Sequence, residues 1–128
     1  MAIDVDEHQV ARLMAAVRLT IGGVLLAAPG FGARAWAGGE GTGPDLKVFA
    51  RATGIREVVL GAGTLRALTR GSEAQPWVAG SAASDAVDAL AALVSLGRAR
   101  PARALLTAAM AGGAAVVGAA VAGQLADA

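Results

Sequence analysis

Twenty residues from Trp77 to Leu96, WVAGSAASDAVDALAALVSL, restrict what the whole chain can become. The stretch is apolar enough to be buried, yet it carries Asp85 and Asp88. Wound as a helix at ~100° per residue, it puts Trp77, Ser81, Ser84, Asp85, Asp88 and Ser95 on one stripe. Val78, Ala82, Val87, Leu90 and Val94 fall elsewhere. One side is therefore acidic and small, and the rest is greasy. Such a helix needs oil around it and a polar partner against the stripe. The chain offers lipid as the oil and Arg18, Arg56 and Glu57 as the partners.

The composition supports lipid. Hydrophobic residues make up 55% of the 128 and charged residues 16%, against the ~45–50% and ~25% usual in soluble domains. Only two Trp and two Phe are present, with no Tyr and 18 Gly. The apolar mass is thus Ala, Val and Leu, as expected where helices pack closely in a bilayer. The formal net charge of +1 comes without a basic tail, so nucleic acid is not a partner. The absence of Cys excludes disulfides, thiolate metal sites and Cys nucleophiles. His8 is the only His, so a metal site would have to be all carboxylate, which suits hard cations better than zinc, and none is expected. No cofactor motif is present: GEGTG (39–43) lacks the Lys-Ser/Thr ending of a phosphate loop, and Gly61-Ala62-Gly63 lacks the third Gly of a dinucleotide fingerprint.

Four helices follow from the punctuation. Asp4 or Asp6 caps a first, over about 7–28, which stops at Pro29-Gly30. Arg12 snorkels at one end of it, while Arg18 lies deeper, either facing inward or snorkelling as well. The acidic start is unlike a secretory signal, and the first helix is expected to be retained although Ala33-Arg34-Ala35 has the small-x-small form of a cleavage site. Phe31 to Pro44 reads as a Gly-rich loop with Trp36 as an interface anchor. A second helix, capped by Asp45, covers about 45–69. Thr53, Arg56, Glu57, Leu60 and Thr64 share one side of it, with Gly61 and Gly63 as close-packing positions. The third helix covers about 76–96. The fourth, about 101–125, starts at Pro101 and holds no charge from Ala104 to Ala126. Its ridges Ala111, Ala115, Ala119, Gly123 and Ala114, Gly118, Ala122 suit tight crossings. Short loops give an all-α, four-helix up-down-up-down transmembrane bundle. Basic residues between helices one and two and between three and four lean the positive-inside rule toward a cytoplasmic side for those loops.

A charge at mid-membrane costs at least ~2.5–3.5 kcal/mol on insertion scales. Arg18, Arg56, Glu57, Asp85 and Asp88 must therefore face inward and pair, with Thr53, Ser81 and Ser84 in support. Two cations against three carboxylates leave one carboxylate over, and burial favours the protonated form of a carboxyl. The seam fits a structural role in register and assembly. It also fits an ion or proton pathway. No nucleophile–base–orienter set accompanies it, so no enzyme is expected.

The segments RLTIGGVLLAAPGFGARAW, RATGIREVVLGAGTLRAL and SDAVDALAAL carry a resemblance. Their Gly-x-Arg-Glu-x-x-x-Gly run (54–61) and Asp-x-x-Asp pair are similar to those of a family of small bacterial four-helix membrane proteins of unknown function, distantly DoxX-like. The resemblance covers about Arg18 to Leu93 and implies a four-helix membrane fold with no settled activity. The thiol-redox chemistry linked to some DoxX-like proteins has no Cys to carry it in this chain. The sequence thus points to a multi-pass protein of the inner (plasma) membrane, with the lipid bilayer as partner and a homo-oligomer or membrane-complex subunit as its state. It serves as a structural or accessory component. The alternatives are a small proton- or cation-coupled transporter and a soluble Ala-rich bundle that binds a partner through its acidic stripe.

Overall fold

The computed structural model describes residues 6–37, 43–97 and 101–127. All regular structure in them is helical: α1 (Glu7–Ala27), α2 (Pro29–Ala37), α3 (Pro44–Arg70), α4 (Gln75–Val94) and α5 (Pro101–Asp127), with one 3-10 turn at Ser95–Gly97. The all-α expectation holds, but the described residues form five helices rather than four. The segment read as a loop after Phe31 begins as α2. Pro29 ends α1, because it cannot continue the ladder, and it also opens α2, because its fixed φ suits a first turn. The Trp36 side chain and most of the GEGTG segment lie outside the described residues, as do Arg98 and Arg100.

The helix ends follow local chemistry. Asp6 caps α1, its Oδ1 accepting from the backbone N–H groups of His8 (2.9 Å) and Gln9 (3.4 Å). Asp45 does not cap α3. Gly43 occupies the cap without a side-chain bond, Pro44 follows it, and Asp45 stands inside the first turn, where its charge opposes the positive end of the helix dipole. Gly71, at φ 63°, closes α3 in the left-handed conformation that glycine adopts freely.

The helices associate as two pairs. α1 runs along α3 and α4 along α5, while the pairs meet each other over shorter contacts, α1 with α5 and α3 with α4. Glycine sets the α1–α3 spacing. A Cβ on Gly22 would stand 2.7 Å from the Gly54 carbonyl oxygen, and one on Gly61 would stand 2.8 Å from that of Ala15. Such approach brings backbone against backbone. In the second pair, Gly118 seats Ala82 of α4 and also the Met14 methyl of α1. The inner ridge of α5 is therefore Gly118 and Ala122, both buried. Ala119 and Gly123 lie exposed in a shallow groove between α4 and α5.

Between the pairs, the apolar core is a small cluster of Ala11, Val78, Val121 and Ala122, flanked by Val10, Leu68, Ala79 and Leu125. It lies at the end of the bundle remote from α2. At the α2 end, Arg103 Nη1 of α5 donates to the Ala35 carbonyl at 3.0 Å. Large apolar side chains mostly point outward; Leu13, Leu90 and Val116 are all more than half exposed. Three helical segments are long and apolar enough to cross a membrane: α1, α4 with the following turn, and α5. α3 is long enough but carries too much charge to join them.

Candidate functional site

Three helices deliver the charged side chains. On α4, Ser81, Asp85 and Asp88 follow one another at spacings of four and three and so share a face. On α3, Arg56 and Glu57 are adjacent and diverge by ~100°, so each reaches a different neighbour. α1 contributes Arg18, three turns into the helix. Gly61 leaves room for it; a Cβ there would stand 3.3 Å from that of Arg18.

These residues form one chain of ion pairs. Arg18 Nη1 donates to Glu57 Oε2 at 2.6 Å. Arg18 Nη2 donates to Asp85 Oδ2 and, at 3.4 Å, to the Ser81 carbonyl oxygen. Arg56 Nη2 donates to Glu57 Oε1 at 3.2 Å and to Asp88 Oδ2 at 2.6 Å. Arg56 Nη1 donates to Asp88 Oδ1 at 3.0 Å, making that pair bidentate. The order is Asp85–Arg18–Glu57–Arg56–Asp88. Charges alternate, and Glu57 is shared by both guanidiniums, one on each carboxylate oxygen.

This sharing corrects one expectation. Two cations against three anions leave the network at −1, but no carboxylate stands apart, because each accepts from a guanidinium. The snorkelling alternative for Arg18 also fails, since that residue is only 7% exposed and is held from both carboxylate sides. Burial falls along the chain. Arg18, Glu57 and Asp85 are buried, whereas the side chains of Arg56 and Asp88 keep 35% and 26% of their surface exposed. Arg56 Nε is nevertheless shielded and has no acceptor among the described residues.

The supporting residues divide. Ser81 is buried and contributes its backbone carbonyl. Thr53 and Ser84 are half-buried and make no described hydrogen bond to the network. Two features escaped the sequence reading. Trp77 lies with its six-membered ring on Gly63, where a Cβ would come within 2.2 Å of the ring, and α2 is tied to α5. The Gly63 signal was visible as a small residue on α3, but nothing in the pattern named its partner.

Charged pairs joining α1, α3 and α4 can clamp helices, and an excess negative charge can attract a cation or hold a proton. The network contains no hydroxyl or thiol nucleophile beside a base. Among the described residues, Asp6, Glu7 and His8 come close enough to share an ion. They are solvent-facing residues of a helix cap, and Asp6 is already engaged with backbone N–H groups. Comparison with protein-family models, with curated proteins and with solved structures gives no match.

Proposed function

We propose that the chain is a four-span component of the inner membrane in which the Asp85–Arg18–Glu57–Arg56–Asp88 chain locks two helix pairs into one body. Its role is structural or accessory rather than enzymatic. The carrying observation is where the ion pairs lie. They connect α1 and α3 to α4, where the pairs otherwise meet over the Ala11–Val78–Val121–Ala122 cluster and where Trp77 rests on Gly63 and Met14 on Gly118. Lipid gives no hydrophobic drive for helices to associate, so polar contacts and close packing must supply it.

The fourth span is α3. Its exposed side carries Arg51, Ile55, Val59, Ala62 and Arg66, spaced four, four, three and four residues apart on one face. The two arginines bracket an apolar stretch of about 22 Å at 1.5 Å per residue, and each can snorkel to its own interface. Arg56 and Glu57 lower the apolar character of α3, but both are engaged in ion pairs, Glu57 inside the bundle and Arg56 at its rim. Arg34, Lys47 and Arg103 mark the α2 end as cytoplasmic. A four-span bundle also agrees with the distant DoxX-like resemblance.

Two experiments test this reading. Membranes washed with alkaline carbonate should retain the protein until detergent is added. Asp85→Asn should lower the thermal midpoint of the purified protein in detergent. Release by carbonate, or an unchanged midpoint, would remove the reading.

A specific observation favours a second reading, a proton- or cation-coupled carrier: the network has one negative charge in excess, and Asp88 at its end is partly exposed. Proteoliposome flux that depends on pH and disappears with Asp88→Asn would support it; a flat response would exclude it. A soluble bundle would instead leave Leu13, Leu90, Leu106, Met110 and Val116 in water, against the usual limit on exposed apolar patches.

A further inference from the structure

The Arg56–Asp88 pair raises a question that the clamp leaves open. It lies within the apolar stretch of α3, roughly midway between the end of the helix at Arg70 and its start at Pro44, and it is the one part of the network with substantial exposure. Helical periodicity puts Phe49, Ala52 and Val59 beside Arg56 on the outer rim of α3. It puts Gly80, Val87 and Ala91 on the matching rim of α4. All six are exposed. The α3–α4 face is therefore an apolar surface, three of its six residues small (Ala52, Gly80 and Ala91), with an ion pair at its centre.

We propose that a second copy of this chain docks on the α3–α4 face, so that each copy's Arg56–Asp88 pair is covered by the other's. This rests on the four-span reading, which puts the face in lipid. Charge complementarity selects the occupant. A pair with one cation and one anion side by side is complementary to itself under a twofold rotation, which sets Arg56 against the partner's Asp88 and Asp88 against the partner's Arg56. Hydrocarbon tails offer neither charge a partner. Small residues at 52, 80 and 91 allow the backbones to approach.

The absence of native Cys makes the test direct. Ala52→Cys, Val87→Cys and Ala91→Cys alter exposed positions on this face. Ala120→Cys alters an exposed position on α5, away from it. In native membranes, a short bifunctional maleimide should give a covalent dimer from at least one of the three face variants and none from Ala120→Cys. Adding Asp88→Asn should reduce the cross-linked fraction several-fold. Equal cross-linking at Ala120→Cys, or no dimer from any face variant while the protein stays in the carbonate-washed membrane, would overturn the proposal and leave the four-span reading intact. Rapid labelling of Ala91→Cys by a membrane-impermeant maleimide would overturn it too, because the face would then open to water, as a cation entry would require. Loss of all variants to the carbonate supernatant would instead remove the four-span reading, and the dimer with it.

Discussion

Gly61 of α3 lies directly against Arg18 of α1, and the small size of the one permits the position of the other. A Cβ at Gly61 would meet the Ala15 carbonyl at 2.8 Å and the Leu19 Cγ at 3.0 Å, besides crowding the Arg18 Cβ. The nearest obstacle is backbone, so it cannot rotate away. Gly61→Ala should push α1 outward and lengthen the Arg18–Glu57 and Arg18–Asp85 bonds. The expected cost is about 1–3 kcal/mol, the range for overpacking a tight contact. Gly23→Ala is the control, because nothing lies within 4 Å of its added Cβ, and alanine favours helix by up to ~1 kcal/mol. Thermal unfolding in detergent should separate the two variants, and equal midpoints would contradict the close crossing.

The helices were legible because glycine and proline mark their ends and the apolar runs between them are long. The acidic stripe was legible because Ser81, Asp85 and Asp88 repeat at helical spacing inside a greasy stretch. The Ala114–Gly118–Ala122 ridge was likewise visible as a small-residue repeat, and Gly118 does seat α4. What pattern alone could not supply was partnership. Nothing local says that Glu57 divides its two oxygens between two arginines, or that Trp77 rests on Gly63; both depend on the register between helices distant in sequence. α2 was missed because a short Gly-rich segment after a proline resembles a loop, whereas the same proline can start a helix whose buried Ala33 holds it in place.

Arg18 joins two carboxylates on different helices, so removing it differs from removing the whole connection. Arg18→Met would strand Asp85 without a cation and leave Glu57 with Arg56 alone. Breaking one side of a buried pair costs about 3–5 kcal/mol. Arg18→Met combined with Asp85→Asn removes the stranded charge as well. The double variant should be more stable than Arg18→Met alone, with a coupling of about 0.5–3 kcal/mol. Arg18→Lys should fall short of wild type, since an ammonium cannot reach Glu57, Asp85 and the Ser81 carbonyl with a planar fork. Unfolding midpoints of wild type, Arg18→Met, Asp85→Asn, the double variant and Arg18→Lys decide this, and strictly additive losses would mean that the pairs do not act together.

The burial gradient along the network predicts unequal effects from two chemically identical changes. Asp85 lies in the buried part, while Asp88 keeps about a quarter of its side chain exposed. In the isolated protomer, Asp85→Asn should therefore destabilise more than Asp88→Asn, because solvent or detergent headgroups can still serve Arg56 at the open end. Asp88→Asn should act mainly on cross-linking across the α3–α4 face. A larger stability loss at Asp88 than at Asp85 in monomer-forming detergent would reverse the assigned order of burial.

The membrane path of α3 gives the last prediction. Hydropathy separates α3 from α1, α4 and α5, but its charges have two distinct destinations. Glu57 turns into the bundle and Arg56 pairs with Asp88 at the partly exposed α3–α4 rim, while Arg51 and Arg66 lie on the exposed face with Ile55, Val59 and Ala62 between them. If α3 crosses the bilayer, the bracketing arginines sit at opposite interfaces, and the three residues between them meet lipid. Single Cys replacements in this Cys-free chain should then give an alternating pattern with a membrane-impermeant maleimide. With the proposed orientation, in which Arg34, Lys47 and Arg103 lie on the cytoplasmic side, Arg66→Cys should react in intact cells and Arg51→Cys only in inverted vesicles. Ile55→Cys and Val59→Cys should stay unlabelled until detergent dissolves the membrane. Labelling of Arg51→Cys and Arg66→Cys from the same side would keep α3 at the surface and reduce the bundle to three spans, which would also put the two termini on opposite sides.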